Sequence, residues 1–208
     1  MPKHLGHVTL IDLGAYTGLS ALFIARELAA RELAVDGTIV DKIIAVEPDP
    51  DNFRLLSENL RTTGLANRAT ALRAFARAEH AFAEVQDSGN GAWGMRMGPF
   101  TDTGTPVLPL AEIARAAKTN APVVLKCDIE GGERQLFLHI RDWEHLIRYI
   151  LLELHTEFLS VGEMFASLES SGFEWTIRGS AAEGAVIAFF LLERGEQRAS
   201  LASREAGA

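Results

Sequence analysis

The sequence predicts an α/β fold, a mostly parallel sheet wound with helices on both faces and closed by a C-terminal antiparallel strand pair. Two observations carry the parallel part. Four runs, VTLIDL from Val8, IIAVE from Ile43, PVVLKCD from Pro122 and YILLEL from Tyr149, are almost uninterruptedly apolar. Strands covered on both faces read this way, whereas half-exposed strands alternate. Between the runs lie helical spacings: Leu22, Phe23, Ala25, Ala29 and Leu33 recur at three- and four-residue steps, as do Phe53, Leu56 and Leu60. Strand and helix in alternation imply right-handed crossovers and a doubly wound sheet.

Each element has local support. Asp49, Asp51 and Asn52 suit the N-cap and first turn of the second helix, which ends near Gly64. A third strand is expected to end near Phe75, and QDSGNGAWG then reads as a glycine-rich turn in a flexible loop or hairpin that continues into WGMRM. Residues 161–170 read as a helix with Phe165 and Leu168 in the core. FEWTIRG and AVIAFFLLER flank the short turn SAAEGA, so these closing strands must be antiparallel. With neither a repeat nor a linker, residues 1–194 are expected to form one domain and residues 195–208 a flexible tail.

Composition excludes several classes. The 208 residues are 48% hydrophobic and 23% charged, ordinary for a single globular core. A formal net charge of −8 argues against a protein that covers phosphates, so nucleic acid is not an expected partner. The single cysteine, Cys127, allows no disulfide framework, and a reducing cytoplasmic setting is the simplest expectation. No apolar run reaches the ~18 residues of a membrane span, and the N-terminus lacks signal-peptide order, so no membrane partner is expected. A homo-oligomer remains open.

Chemistry gathers at strand ends. Asp12-Leu13-Gly14-Ala15-Tyr16-Thr17-Gly18 follows a buried strand and precedes a helix, where glycines allow a sharp turn and close approach of a ligand. Only two glycines, three residues apart, depart from the G-x-G-x-x-G of dinucleotide sites, which disfavours NAD. Asp12 suits the cationic amino and sulfonium groups of S-adenosylmethionine better than a pyrophosphate. Glu47, before Pro48 at the end of the second strand, can accept both ribose hydroxyls of an adenosine; a solvated acid before a helix is the plain alternative. In KCDIEGGE, Asp128 and Glu130 share one face of an extended chain, although helix capping also accounts for them. Glu153 and His155 lie two apart in LLELH. With Asp128 and Glu130 they could hold a divalent metal, or His155 could be a base, or a hydrogen-bonded surface residue. The other histidines have no ligand-like spacing.

The blocks IDLGAYTG, AVEPDPDNFRLLSENL, LKCDIEGGE and LLELH, in this order between Val8 and His155, resemble the FkbM-type methyltransferases. The resemblance implies a Rossmann-like class I methyltransferase sandwich, S-adenosylmethionine as donor, and O-methylation of a hydroxyl on a small molecule or glycan. Carried over, Asp12, Gly14, Ala15, Tyr16 and Gly18 would surround the methionine end of the cofactor, and Glu47 with Pro48 the ribose. Ala76 or Arg77 would meet the adenine, and Asp128, Glu130 and His155 would face the acceptor. Three features depart from the family pattern: Tyr16 replaces the usual Asn, residues 19–46 make a longer connection, and the first strand begins almost at the N-terminus, so less cover over the cofactor is expected.

Methyl transfer to oxygen is an in-line displacement in which positioning supplies much of the acceleration. Asp128 or His155 is expected as general base, with Glu130 as partner or metal ligand, and Tyr16 could offer its ring to the sulfonium. The rival expectations are a noncatalytic S-adenosylmethionine-binding paralogue or partner subunit, and an NAD-dependent oxidoreductase.

Overall fold

From Val8 to Leu13 every side chain is buried, and that segment becomes the centre of the sheet. A computed structural model of the chain describes residues 6–32, 39–89, 91, 94–183 and 187–198. Strand β1 (His7–Leu13) pairs in parallel with β2 (Ile39–Val46) on one side and β8 (Val123–Cys127) on the other. β3 (Ala69–Leu72) extends the sheet beyond β2, and β9 (Tyr149–His155) extends it beyond β8, both in parallel. Two long antiparallel strands, β11 (Ile187–Gln197) and β10 (Phe173–Glu183), complete the order β10-β11-β9-β8-β1-β2-β3. The direction of winding therefore reverses between β1 and β8, and a crevice opens there at the carboxyl ends of the strands.

Period-two alternation divides the core between the sheet's faces. Leu10, Ile43, Ala45 and Val124 pack with Leu56 and Leu60 of α2 (Pro50–Thr62) and with Ala21 of α1 (Leu19–Glu32). Ile11, Leu13, Ile44, Val46, Leu125 and Leu152 pack on the other face. There they meet α3 (Leu110–Ala116), α4 (Glu133–Leu138), α5 (Ile140–Trp143) and α6 (Val161–Ser170). Asp49 caps α2 by accepting from the N–H groups of Asp51 and Asn52, and Ser160 with Glu163 forms a capping box on α6.

Three expectations need correction. The third strand does not run on to Phe75: after Leu72 the chain leaves the main sheet and starts a second one. That sheet has the order β4-β7-β5-β6, built from β4 (Phe75–Arg77), β7 (Thr105–Pro109), β5 (Ala81–Asp87) and β6 (Met95–Thr101). The expected hairpin is found: β5 and β6 pair antiparallel on either side of the glycine-rich segment, as two strands of this sheet, while Trp93 lies outside the described residues. In α1, Leu22 and Ala25 pack on the core, but Phe23 is 64% exposed; of the other expected core positions, the side chain of Ala29 and the whole of Leu33 lie outside what is described. Finally, β11 continues through Gln197, which pairs with Phe173, so the expected tail boundary falls inside a strand. Residues 199–208 are outside the described set. No helix among the described residues is long and apolar enough to cross a membrane.

Candidate active site

At the reversal point a cavity of about 600 Å³ is walled by the ends of β1, β2, β8 and β9 and by β4 and β6 of the second sheet. That volume lies within the usual range for small-molecule sites. The loop after β1 forms one side. Gly14 has φ 69°, and a Cβ there would fall 1.7 Å from the carbonyl oxygen of Asp128, so only glycine lets the ends of β1 and β8 come together. Tyr16 is held at φ 50°, a left-handed conformation that costs energy outside glycine.

Four N–H groups of this loop are already engaged. Gly14 and Ala15 both donate to Val46 O (3.1 and 3.0 Å), Tyr16 to Glu47 Oε2 (2.9 Å) and Gly18 to Ala15 O (2.7 Å). A pyrophosphate needs such groups free, so the geometry agrees with the two-glycine spacing in speaking against a dinucleotide. Asn59 of α2 donates to Thr17 O (2.8 Å) and anchors the loop's far side.

Glu47 lies at the end of β2, 4% exposed and on the cavity wall. Its Oε2 accepts from Tyr16 N and its Oε1 from Asp49 N, each at 2.9 Å, and Asn52 adds a side-chain hydrogen bond. Burial pushes the carboxyl up, while the Asp49 and Tyr16 N–H groups pull it back. Asn52, which reads in the sequence as a helix start, is thus also part of the site. Of the roughly four lone-pair sites of a carboxylate, three are taken by these donors, which leaves room for about one further hydroxyl.

Parallel pairing sets Asp12 beside Lys126, and their side chains meet. Asp12 is fully buried: Oδ2 accepts from Ser20 Oγ (2.7 Å), and Oδ1 lies 3.4 Å from Lys126 Nζ. Lys126 also donates to Gly14 O (2.9 Å) and Asp128 Oδ2 (3.2 Å). Burial works against this ammonium, but Asp12 and Asp128 together outweigh it and raise the Lys126 pKa. Of the expected methionine-end residues, Gly14, Ala15 and Tyr16 line the cavity, whereas Asp12 and Gly18 stand behind the wall. Pro48, Ala76 and Arg77 line it too.

The opposite end gathers acids. Asp128, Glu130 and Glu153 line the cavity, but His155 does not. At 8% exposure His155 sits behind Glu130, its Nε2 3.7 Å from Glu130 Oε1 and its Nδ1 3.0 Å from Glu133 Oε1. Burial disfavours the imidazolium, but the Glu133 hydrogen bond and the charges of Glu133, Glu130 and Asp128 prevail and push His155 up to about 9. His155 is therefore protonated at neutral pH, which does not suit the general base expected from the sequence. Glu133 had no role in that reading. It is fully buried, accepts from Ile129 N (3.0 Å) and Gly131 N (2.8 Å), and so shapes the turn that holds Glu130 at φ 52°. Its position in a helix first turn was the only sequence signal, and that signal fits ordinary capping equally well.

Asp128, Glu153 and His155 each bring one ligand atom within 4.8 Å of the others, so three of the four residues considered for a metal converge. A cation there would need His155 neutral and would face the Lys126 ammonium, two electrostatic obstacles to binding. Burial raises the Glu130 and Glu153 carboxyls, Asp128 raises them further, and the His155 charge pulls both back.

Strand order and a cavity at its reversal define a doubly wound, Rossmann-like α/β domain with its ligand site at the switch point. The family model for the methyltransferase FkbM domain matches residues 12–175, and the chain belongs to that family. Methyltransferase FkbM from Methylobacillus flagellatus KT is similar at 18% identity and TM-score 0.52, over 92% of this chain and 44% of its own. An uncharacterized protein from Listeria monocytogenes serotype 4b matches at 14% identity and TM-score 0.52, over 95% of this chain and 66% of its own. At these identities the likeness is one of fold, and the chain spans less than two thirds of either relative's length. A comparison with curated proteins finds no match.

Proposed function

We propose that this chain binds S-adenosylmethionine and methylates a hydroxyl of a small molecule or glycan. The observation that carries this reading is Glu47, a buried carboxylate fixed by two backbone N–H groups and presented to the cavity at the end of β2. The donor set fits the cofactor. Glu47 offers its remaining acceptor site to a ribose hydroxyl, Pro48 and Ala76 add apolar lining for the adenine, and Asp128 with the Gly14 to Tyr16 loop lines the methionine end. When bound, S-adenosylmethionine supplies an electrophilic methyl group on a sulfonium.

The chain's own residues orient the acceptor and take its proton. His155, protonated and behind the wall, positions Glu130. Asp128 is engaged by Lys126 at 3.2 Å, so its carboxylate already holds a partner. Glu130, whose carboxyl burial pushes up, is the assigned base, because proton transfer is most effective when the acceptor's pKa approaches the working pH. Transfer proceeds without a resident divalent cation in this reading.

The test is transfer of labelled methyl from S-adenosylmethionine to a panel of sugars and other hydroxylated acceptors, with and without chelator. Label in an ether product, unchanged by chelator and reduced in Glu130→Gln on the order of a hundredfold, is expected. Cofactor binding without transfer to any acceptor would instead favour a noncatalytic module, and loss of transfer in chelator would restore the metal.

A further inference from the structure

The charges on the cavity wall do not all find partners within the protein. Lys126 meets Asp12 and Asp128 at 3.4 and 3.2 Å, and Arg134 meets Glu163 at 4.0 Å. Arg77 of β4 and Arg96 of β6 also line the cavity, yet neither forms an ion pair among the described residues. Each rests on an aromatic face: the Arg77 Cζ lies 4.9 Å from the Phe100 ring centroid and the Arg96 Cζ 5.5 Å from that of Phe158. The Nε atoms of both are buried without a hydrogen-bond partner. Arg77 reaches Met97, the neighbour of Arg96, with Nη1 3.9 Å from its sulfur.

Stacking fixes a guanidinium plane while leaving its hydrogen-bonding edge available. A partly buried guanidinium with unsatisfied N–H groups is costly unless an anion completes it. Here the strand pairing of the second sheet brings two of them to one cavity in a chain of net charge −8. The location of Arg96 points to the acceptor rather than the cofactor, and Arg77 reaches toward Arg96 through Met97. Phe158, under Arg96, packs against Gly131, and the Arg96 charge acts on the Glu130 carboxyl.

We infer that Arg77 and Arg96 form an anion subsite, so that the acceptor carries a carboxylate or phosphate near the hydroxyl to be methylated. This rests on the methyl-transfer reading above. Planar guanidiniums donate to either anion in a bidentate fashion, and two of them on the second sheet would hold the acceptor by its charge while Glu130 faces its hydroxyl.

The experiment titrates the S-adenosylhomocysteine-loaded chain with glycerol phosphate, glycerate and neutral glycerol by calorimetry. At least one anion is expected to bind about tenfold or more tightly than glycerol, since charge-assisted pairs contribute on this scale; which one does so distinguishes phosphate from carboxylate. Arg96→Met and Arg77→Met should abolish the preference, Arg96→Lys should retain part of it, and S-adenosylhomocysteine affinity should stay within about twofold, a readout that also certifies folding. No preference for either anion, or a preference surviving in both Met variants, would overturn the subsite. So would a parallel loss of S-adenosylhomocysteine binding in the variants, which would assign the arginines to the cofactor or the fold. Failure of the parent chain to bind S-adenosylhomocysteine at all would instead bring down the methyl-transfer reading, and the subsite with it.

Discussion

The two ends of the cavity hold carboxylates in opposite ways. At one end Glu47 is gripped by neutral donors, the N–H groups of Tyr16 and Asp49. At the other, Asp128 is held by the Lys126 ammonium, and Glu130 and Glu133 face the His155 imidazolium. Backbone donors keep their geometry across the pH range in which the protein works, whereas a charge network changes with the protonation of its members. Binding at the first end should therefore be insensitive to pH near neutrality, and chemistry at the second should not.

The strongest way to break this division is to separate the strand ends that define it. Gly14→Ala would drive a Cβ into the Asp128 carbonyl and force a left-handed φ on alanine. A loss on the order of 4 kcal/mol in unfolding free energy is expected by denaturant titration, with S-adenosylhomocysteine binding abolished. Normal stability with normal binding would show that the close approach is not needed.

Next in size, Lys126→Met should disturb chiefly the second end. It leaves Asp12 and Asp128 without their shared cation, and removing one partner of a buried ion pair costs about 3 kcal/mol. Differential scanning calorimetry should record that loss, and a melting temperature unchanged from the parent would remove Lys126 as the organiser of these acids.

Glu133→Gln sharpens the comparison by weakening the His155 imidazolium. In the parent, the His155 pKa of about 9 lies above its unfolded value near ~6.5. A raised histidine contributes stability fully below the unfolded value and loses it as pH rises through the folded one. The parent should therefore lose stability between about pH 6.5 and 9, and the variant should show less of that slope. Proton NMR of the His155 ring should place its titration at least roughly one unit lower in the variant; an unmoved titration would mean that Glu133 does not govern it.

The smallest effect is the control. Arg54 and Glu58 lie 3.9 Å apart on the solvent side of α2, both largely exposed, so Arg54→Ala should change stability by less than about 0.5 kcal/mol and leave cofactor affinity unaltered.

How much of this could be read from the chain follows the same division. The Asp12 to Gly18 loop and Glu47 each follow an apolar run directly, so position in sequence implied position at a strand end. Even there a strand-end position does not fix where the side chain points, because alternation along β1 turns Asp12 under α1 toward Ser20. The second sheet was not legible. β4 has only three residues and changes sheets two residues after β3 ends, and its pairing with β7 spans a separation that no local pattern encodes. Arg77 and Arg96 come to one cavity only through that pairing. Glu133 and His155 are 22 positions apart and meet across α4 and β9, so the sequence showed two polar residues where the fold makes one charged unit.

The most direct test of the central claim is calorimetric titration of the chain and of Glu47→Gln with S-adenosylhomocysteine. The amide would set a donor against the Tyr16 or Asp49 N–H, and loss of a charged acceptor costs about 1.5–3 kcal/mol. A saturable, single-site isotherm for the parent is predicted, with affinity about tenfold or more weaker in the variant and little change in either between pH 6.5 and 8. Equal affinity in the two proteins, or no binding by the parent, would contradict the account.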